Sequence, residues 1–345
     1  MKSAESIRTL TPSRFWSWMA MFGGFAIVCA AIGPMFGTQS IDFARAIDFS
    51  IPLTENTDRF ILFGTRIPRV VLALVTGASL AMSGAAMQAL LRNPLASPFT
   101  LGVASGGTFG AALMIFIGIG GTALMVPGTV FGAFVLSIAT IALVWGLAWR
   151  RGRLPTGMLL LAGVSVNFLF GALVLLLQYM SDFEQNFALI RWMMGSLDTV
   201  GYGSVWGVLP VLLIAAFVLF RYSRSFNLMA LGDDAAKSSG VDVRRLELAG
   251  FLASGLLAGA AVSQVGPIGF VGLMVPHAVR MIAGPDYRLV IPGSLFAGAG
   301  FLVLCDLVSR IAIPPYELPP GIITAILGAP FFLWLLKSRA REIVV

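Results

Sequence analysis

Long apolar runs separated by short polar segments form the main pattern along this chain. A helix needs about 20 apolar residues to cross the hydrocarbon core of a bilayer. The runs closest to that length are residues 15–35, 70–91, 126–149, 159–180, 205–220, 246–262, 289–308 and 322–336. Weaker apolar stretches raise the expected total to about ten spans. We predict an all-α polytopic membrane protein with one transmembrane domain over residues 1–345 and a short cytoplasmic N-terminal tail, residues 1–14.

The positions of Lys and Arg predict the orientation of these spans, because cytoplasmic loops carry an excess of both. With the N-terminus in the cytoplasm, segment 37–65 lies outside and the C-terminus returns to the cytoplasm. The cations on the cytoplasmic side are then Arg92, Arg150, Arg151, Arg153, Arg221, Arg224, Arg244, Arg245, Arg280, Arg288, Lys337, Arg339 and Arg341. The net charge of +7 therefore indicates membrane topology rather than nucleic-acid binding.

Composition excludes several other classes of protein. The chain is 58% hydrophobic and 11% charged, which leaves no sizeable water-soluble domain. Cys29 and Cys305 lie inside apolar runs and are expected to be small core residues rather than a disulfide. His277 has no second histidine to complete a metal site, so we predict a packing or hydrogen-bonding role and no metal or cofactor. The chain has no phosphate-binding glycine loop of the Walker type.

Three arginines do not fit the cytoplasmic pattern. Arg66 and Arg69 open the second span at its outer end, and Arg310 closes the ninth span on the same side. They could anchor the protein to lipid phosphates at the interface. Alternatively, they could form an outward-facing cationic ring that captures an acidic partner, because guanidinium groups suit carboxylates.

Small residues and broken runs predict close helix packing and an internal repeat. Gly77, Ala81 and Ala85 recur every four residues in the second span, a spacing that lets backbones approach closely in lipid. Breaks at 93–98 and 266–269 follow similar sequences in the second and seventh spans. We therefore predict an inverted repeat that relates spans 2–5 to spans 7–10.

A polar segment, residues 225–242, separates the sixth and seventh spans on the predicted cytoplasmic side. Gly232 and Gly240 bracket good helix formers, with Asp233 and Asp234 in the first turn, where the helix dipole favours anions. We expect a short helix along the membrane surface. It is either an ordinary interfacial helix or the contact for a soluble partner such as an ATPase.

Several motifs in order resemble one transporter family. They are Arg66-Ile67-Pro68-Arg69, residues 77–106 with Arg92-Asn93-Pro94-Leu95-Ala96, residues 192–197, residues 231–240, residues 266–273 with Pro276-His277, and residues 318–321 with 327–330. From about residue 60 to residue 339 the chain resembles the ten-span permease subunits of type II ATP-binding-cassette importers. These importers carry ferric siderophores, haem and cobalamin. The resemblance places the protein in the bacterial inner membrane.

This resemblance implies roles for particular residues. The outer arginines, Arg66, Arg69 and Arg310, would pair with glutamates of a substrate-binding protein. Residues 159–180 would line the pathway at the axis of a permease dimer. The cytoplasmic gate would contain Asn93, Leu95 and Thr156. The segment that couples the permease to the ATPase would contain Leu231, Gly232, Asp233, Asp234, Ala235, Ala236 and Gly240. Gly157 departs from the pattern of relatives, which puts a polar second gate in doubt. Pro320 is a separate departure, a second proline in a motif that often has one.

The implied function is import without catalysis by this chain. A homodimer would work with two ATPase subunits, a binding protein and the surrounding lipid, and would carry an iron–siderophore complex by alternating access. Haem or cobalamin as the cargo remains an alternative. A secondary carrier is less favoured, because the apolar runs lack the repeated carboxylates of ion-coupled transport. A membrane-embedded enzyme would need a polar cluster that the lone His277 does not provide.

Overall fold

The computed structural model describes residues 10–52, 54–119, 122–123, 126–149 and 154–343. Its helices are α1 (Pro12–Ile32), α2 (Phe43–Ala46), α3 (Thr57–Arg59), α4 (Ile67–Leu90), α5 (Val103–Phe116), α6 (Gly128–Ala148), α7 (Thr156–Met180), α8 (Phe183–Met193), α9 (Gly203–Ala230), α10 (Asp233–Ser238), α11 (Val243–Val265), α12 (Val271–Ala283), α13 (Tyr287–Ile311) and α14 (Pro320–Ile343). A π-helical turn, Phe60–Arg66, leads into α4, and 3-10 turns occupy Gly33–Met35 and Pro98–Leu101. Two short antiparallel strands, β1 (Thr122–Ala123) and β2 (Val126–Pro127), join α5 to α6.

The helices agree with the predicted all-α membrane architecture. Within the described residues, seven helical segments, built on α1, α4, α6, α7, α9, α11 and α13, are long and apolar enough to cross a membrane. Shorter apolar helices are α5, α12 and the first part of α14, Pro320–Leu335. The 14 residues of α5 span only about 21 Å at ~1.5 Å per residue, less than a hydrocarbon core of ~30 Å. The number of complete crossings therefore stays a prediction.

Helix α4 lies at the centre of the bundle. It packs against α9, α11, α12 and α13, and almost all of its side chains are buried. A Cβ at Gly84 would lie 1.7 Å from the carbonyl oxygen of Gly272 in α12, and one at Gly77 would lie 2.2 Å from that of Gly298 in α13. The Ser83 hydroxyl donates to the carbonyl of Ser254 in α11 at 2.7 Å. The prediction of close packing through small residues is confirmed.

The helix order and packing agree with the predicted internal repeat. A long helix, a break, a short helix and two long helices occur twice, as α4–α7 and as α11–α14. Helix α4 packs against α12 and α13, and α11 packs in the corresponding way against α5 and α6. The two long central helices also contact each other. The inverted orientation of the two halves stays a prediction.

Contacts between helix ends define two ends of the bundle. The arginine end contains Arg66, Arg69 and Arg310, and the α10 end contains helix α10. The Arg14 guanidinium, near the start of α1, donates to the carbonyl of Ala283 at 3.1 Å. The carbonyl of Gly33, just after α1, accepts from Arg310 at 2.9 Å. Helix α1 therefore runs from the end where α12 finishes to the arginine end.

Helix α8, which follows α7 at the arginine end, is not among the predicted elements. The Asp182 carboxylate accepts from the backbone N–H of Gln185 at 2.8 Å, and the Gln185 side chain accepts from the backbone N–H of Asp182 at 3.3 Å. This reciprocal capping box is a sequence signal that could have predicted the helix.

Some cations used for the topology lie outside the described residues. These are Arg150, Arg151 and Arg153, together with residues 1–9 of the N-terminal tail; the side chains of Arg339 and Arg341 are also outside the description. The cytoplasmic location of both termini therefore stays a prediction. The cation–π contact of Arg244 with Trp149, 5.3 Å from guanidinium carbon to ring centroid, brings the end of α6 beside the start of α11.

Candidate functional site

A buried ionic cluster lies at the arginine end, centred on Asp306 of α13. Asp306 has no exposed surface, and it lies within α13, which is long and apolar enough to span a membrane. Its Oδ1 accepts from Nε of Arg69 at 2.8 Å, and its Oδ2 lies 3.1 Å from Nε of Arg310. A buried carboxylate is tolerated in a membrane helix mainly when it is paired, and two guanidinium groups provide that pairing here. The cluster joins the start of α4 to the end of α13.

Backbone carbonyls hold Arg310 and Arg66 in place. Arg310 donates to the carbonyls of Phe36 at 2.5 Å and Gly33 at 2.9 Å. Arg66 donates to the carbonyl of Pro34 at 3.1 Å and to that of Gln39. Arg310 is 3% exposed and Arg66 is 7% exposed.

This arrangement corrects the picture of an open cationic ring. The structure brings Arg66, Arg69 and Arg310 together, as predicted, but they are mostly buried and already paired within the chain. Burial also argues against lipid-phosphate anchoring, because a buried guanidinium cannot reach a headgroup. Their role in docking a binding protein stays a prediction. Sequence reasoning missed their partners, and only the i, i+4 spacing of Asp306 and Arg310 signalled one pair.

Arg69 is the most exposed of the three arginines. Its Nη1 lies 2.7 Å from Oδ1 of Asp198 and 2.7 Å from Oε2 of Glu317. Asp198 follows α8, and Glu317 precedes α14, so one guanidinium joins segments far apart in sequence. The Thr38 hydroxyl also donates to Oε1 of Glu317 at 3.2 Å. Arg69 therefore has three carboxylate partners in this chain.

The residues expected to form a gate lie on the break after α4 and at the start of α7. Arg92, two residues after the end of α4, has a left-handed backbone with φ 48°. The Asn93 side-chain oxygen accepts from the backbone N–H of Leu95 at 3.0 Å, which fixes a tight turn and leaves Leu95 exposed. Thr156 is the first residue of α7. No hydrogen bond among the described residues joins Thr156 to Asn93 or Leu95, and the assignment of these three residues to a gate stays a prediction.

The predicted short helix is confirmed as α10. Gly232 and Gly240 flank it with positive φ angles of 119° and 81°, a backbone that glycine adopts without strain. Ala236, within α10, is fully buried, while Leu231, just before the helix, is exposed. Asp233 forms an ion pair with Arg92, at the end of α4. Helix α10 is therefore tied directly to the break that carries Asn93.

A second polar contact stabilises the α10 end near the close of α9. The Asn227 side-chain amide donates to Oδ1 of Asp286 at 2.7 Å, and Arg288 donates to both carboxylate oxygens. Burial alone would raise the pKa of Asp286, but the hydrogen bonds from Arg288 and Asn227 hold it below its ordinary value. Asp286 is therefore a charged tie between α9 and the start of α13.

Helix α7 has one packed face and one open face. Its buried residues recur at helical spacing: Leu159, Gly163, Val166, Phe170 and Val174. The opposite face exposes large apolar side chains: Leu161, Val164, Phe168, Leu175 and Tyr179. A cavity of about 530 Å³ opens along α7 beside α5, with Asn167 and Gln178 among the polar groups in its wall.

The remaining candidate residues have packing roles. His277 is buried, with its ring centroid 6.1 Å from that of Phe331 and 6.4 Å from that of Phe332. Cys29 and Cys305 are buried and free, which agrees with their prediction as core residues. No group of three or more His, Cys, Asp or Glu that could hold a metal occurs among the residues that the structure covers.

Comparisons with known proteins match this architecture over most of the chain. The cobalamin import system permease BtuC of Halobacterium salinarum is 40% identical over 301 residues, which are 87% of this chain and 79% of that protein. The hemin transport system permease HmuU of Yersinia pestis is 40% identical over 319 residues, covering 92% of this chain and 94% of the relative.

A solved structure supports the same relationship. It is described as a metal-chelate type ABC transporter in an inward-facing conformation, and it aligns with a TM-score of 0.80 at 31% identity. The alignment covers 94% of this chain and 99% of that one. The model of the FecCD transport family matches residues 25–338. The chain therefore belongs to the FecCD transport family and is a multi-pass protein of the bacterial inner membrane.

Proposed function

We propose that this chain is the membrane-spanning permease of an ATP-driven importer that carries an iron–siderophore complex into the cytoplasm. Two copies form the pathway, two ATPase subunits bind at the α10 end, and a substrate-binding protein docks at the arginine end. The chain itself catalyses no reaction. Family membership supports a transport role, and the geometry of the two ends supports the assignment of partners.

The ion pair between Arg92 and Asp233 is the observation that carries this proposal. It links α10, whose outward face is exposed, to the turn that carries Asn93 and Leu95. A force applied to α10 by a closing ATPase would therefore reach the end of the central helix α4. Such a direct contact between a partner site and a gate provides the physical connection that coupling requires.

The open face of α7 supports a dimer. A helix that is apolar all round is expected where every face is covered by protein or lipid. Asn167 and Gln178 place polar side chains in the wall of the cavity beside α7, which favours protein or water over lipid on that side of the helix. We infer that a second copy faces this cavity and encloses the pathway between the two α7 helices.

The cargo assignment rests on the residues that line the cavity along α7 and on the cargoes of related permeases. The cavity wall is apolar with a few neutral polar groups, which suits a bulky chelate rather than a free ion. Haem or cobalamin fits the same description, and two relatives are named for these cargoes. Uptake of a ferric hydroxamate siderophore, haem and cobalamin, measured in parallel in vesicles, separates the three alternatives.

Reversing the charge at Asp233 and Asp234 together is expected to uncouple transport from ATP hydrolysis. The Asp233→Lys, Asp234→Lys variant loses the ion pair with Arg92 and places cations at the N-terminus of α10, which the helix dipole disfavours. In vesicles that contain the ATPase, we expect uptake to fall to background while basal hydrolysis continues. The rates of uptake and phosphate release, measured together, test this expectation.

Asp234→Lys alone is the matched control. Asp234 has the same charge and the same helical turn, but its side chain is exposed and forms no ion pair within the described residues. The single variant should keep most of the uptake that the double variant loses. Exchange of the pair, Arg92→Asp with Asp233→Arg, should restore part of it. Normal stimulation of hydrolysis by cargo in the double variant would contradict the coupling assignment.

A further inference from the structure

We propose that Arg69, Asp198 and Glu317 form an exchangeable ionic latch at the arginine end, opened when a carboxylate of a docking protein replaces the chain's own carboxylates on Arg69. The proposal rests on the proposed function, because it takes the arginine end as the docking face. It assigns Asp198 and Glu317 as internal competitors of the docking partner. Arg69 is thus occupied before the partner arrives.

The three carboxylates on Arg69 are not equivalent. Asp306 binds Nε and is completely buried. Asp198 and Glu317 share Nη1, and their side chains are 52% and 34% exposed. Exposed ion pairs contribute little net free energy because water competes for both partners. An incoming carboxylate can therefore displace the outer pair, while the bond to Asp306 keeps Arg69 in place.

Two cavities meet at this guanidinium. The first has a volume of about 510 Å³ and also contains Arg66 and Arg310 in its wall. The second, of about 670 Å³, extends beside α8 and the segment before α14. Arg69, Asp198 and Glu317 belong to the walls of both cavities. The latch is therefore the partition between an arginine-lined pocket and a cleft along α8.

The first cavity suits an acidic side chain. Its wall contains the guanidinium groups of three arginines and, among its described lining residues, only the latch carboxylates as acids. Arg66 and Arg310 are fixed by backbone carbonyls, and these contacts do not involve the latch carboxylates. Removal of Asp198 and Glu317 from Arg69 would leave this pocket strongly cationic, which favours a glutamate or aspartate of the partner.

Opening the latch has a consequence for the pathway side of the molecule. Asp198 lies in the segment between α8 and α9, and Glu317 lies just before α14. The same segment contains Ser196, whose backbone N–H donates to the carbonyl of Val265 at the break after α11. Release of both carboxylates would remove the contacts of these two segments with Arg69 at the arginine end. Docking would thereby loosen the partition next to α8. Helix α8 in turn borders the cavity along α7.

The test measures the charge of the first cavity without any partner protein. Val200 lines this cavity and is 72% exposed, so Val200→Cys provides a reporter thiol. The full-length chain in nanodiscs is treated with an anionic and a cationic methanethiosulfonate, and the rates of modification are compared. Asp198→Asn with Glu317→Gln should raise the ratio of anionic to cationic rates by about 10-fold or more, the range in which local charge changes encounter rates.

Glu55→Gln with Glu184→Gln is the matched control. Both glutamates are exposed, and neither forms an ion pair within the described ranges. This control removes the same number of negative charges and should leave the ratio nearly unchanged. The chain without Val200→Cys gives the background from the buried Cys29 and Cys305. Elution as a single peak on size-exclusion chromatography, together with the two single latch variants, identifies any loss of folding.

A short polyglutamate peptide then serves as the probe of carboxylate exchange. It should slow anionic labelling of the reporter thiol at lower concentration in the latch variant than in the control. Equal ratios in the latch variant and the control would overturn the latch, and absence of peptide competition would overturn carboxylate exchange. Both measurements work without ATPase or binding protein. A change in labelling combined with absent ATP-driven uptake would therefore contradict the proposed function and leave the latch standing.

Discussion

Asp306→Ala is expected to cause the largest loss of stability of any single carboxylate substitution in the described chain. The substitution leaves Arg310 buried with no ion-pair partner among the described residues, and it removes the fixed partner of Arg69. Loss of one member of a buried ion pair typically lowers the free energy of unfolding by about 3–5 kcal/mol, because the remaining charge is uncompensated. The midpoint of unfolding in sodium dodecyl sulfate, measured on protein in mixed micelles, should fall accordingly.

Asp198→Ala is the control for this prediction. Asp198 also contacts Arg69, but it is half exposed, and Arg69 keeps both Asp306 and Glu317 when it is removed. The expected change is at most about 1 kcal/mol, as for other exposed pairs. Equal losses of unfolding free energy in the two variants would mean that burial does not distinguish the two carboxylates. That result would contradict the role of Asp306 as the central partner of Arg69 and Arg310.

Gly84→Ala is expected to disrupt the contact between α4 and α12. The added methyl carbon would lie 1.7 Å from the carbonyl oxygen of Gly272, a backbone atom that can move only with its helix. Separation of the two helices would also weaken the bonds from the Gln88 amide to the carbonyls of Gly272 and Leu273. Overpacking of this kind lowers the free energy of unfolding by about 1–3 kcal/mol or more.

Gly171→Ala in α7 tests whether helical glycines in general behave this way. A Cβ at Gly171 would meet no atom within 4 Å in the chain. Alanine is favoured over glycine inside a helix by about 0.5–1 kcal/mol, so this variant should be unchanged or slightly more stable. Similar unfolding midpoints for Gly84→Ala and Gly171→Ala would contradict the close approach of α4 and α12.

The sequence was sufficient to predict the membrane helices and their tight packing. Apolar length predicts α1, α6, α7 and α13 because the bilayer sets a minimum span. Positive-φ glycines at Gly232 and Gly240 bracket α10 because few other residues adopt that backbone at low energy. These features depend on local chemistry. They are therefore visible in one stretch of sequence.

The partners of the arginines could not be predicted in the same way. Asp198 and Glu317 meet Arg69 only through the folding of α8, α9 and α14 around the start of α4, at separations of more than a hundred residues. Charge counting places Arg69 at one end of the bundle, but it does not show whether the charge is free. Burial and pairing are properties of the tertiary structure, which explains why an open ring was expected.

The residues predicted to form a gate lie in two separate parts of the chain. Asn93 and Leu95 lie on the break after α4, and Thr156 lies at the start of α7, as the sequence places them. Within the part of the chain that the structure describes, no hydrogen bond connects these two positions. The gate that we propose between two copies would require contacts that neither the sequence nor a single subunit contains. The exposed face of α7 is the surface from which we infer those contacts.

Uptake by purified components in sealed vesicles tests the central claim most directly. The claim is that the chain is a conduit without its own energy source, driven by an ATPase that binds at the α10 end. Vesicles with the chain, the ATPase and the binding protein should accumulate radiolabelled cargo only when ATP is hydrolysed, and vesicles with the chain alone should not. Accumulation by the chain alone on a proton or sodium gradient would contradict the account.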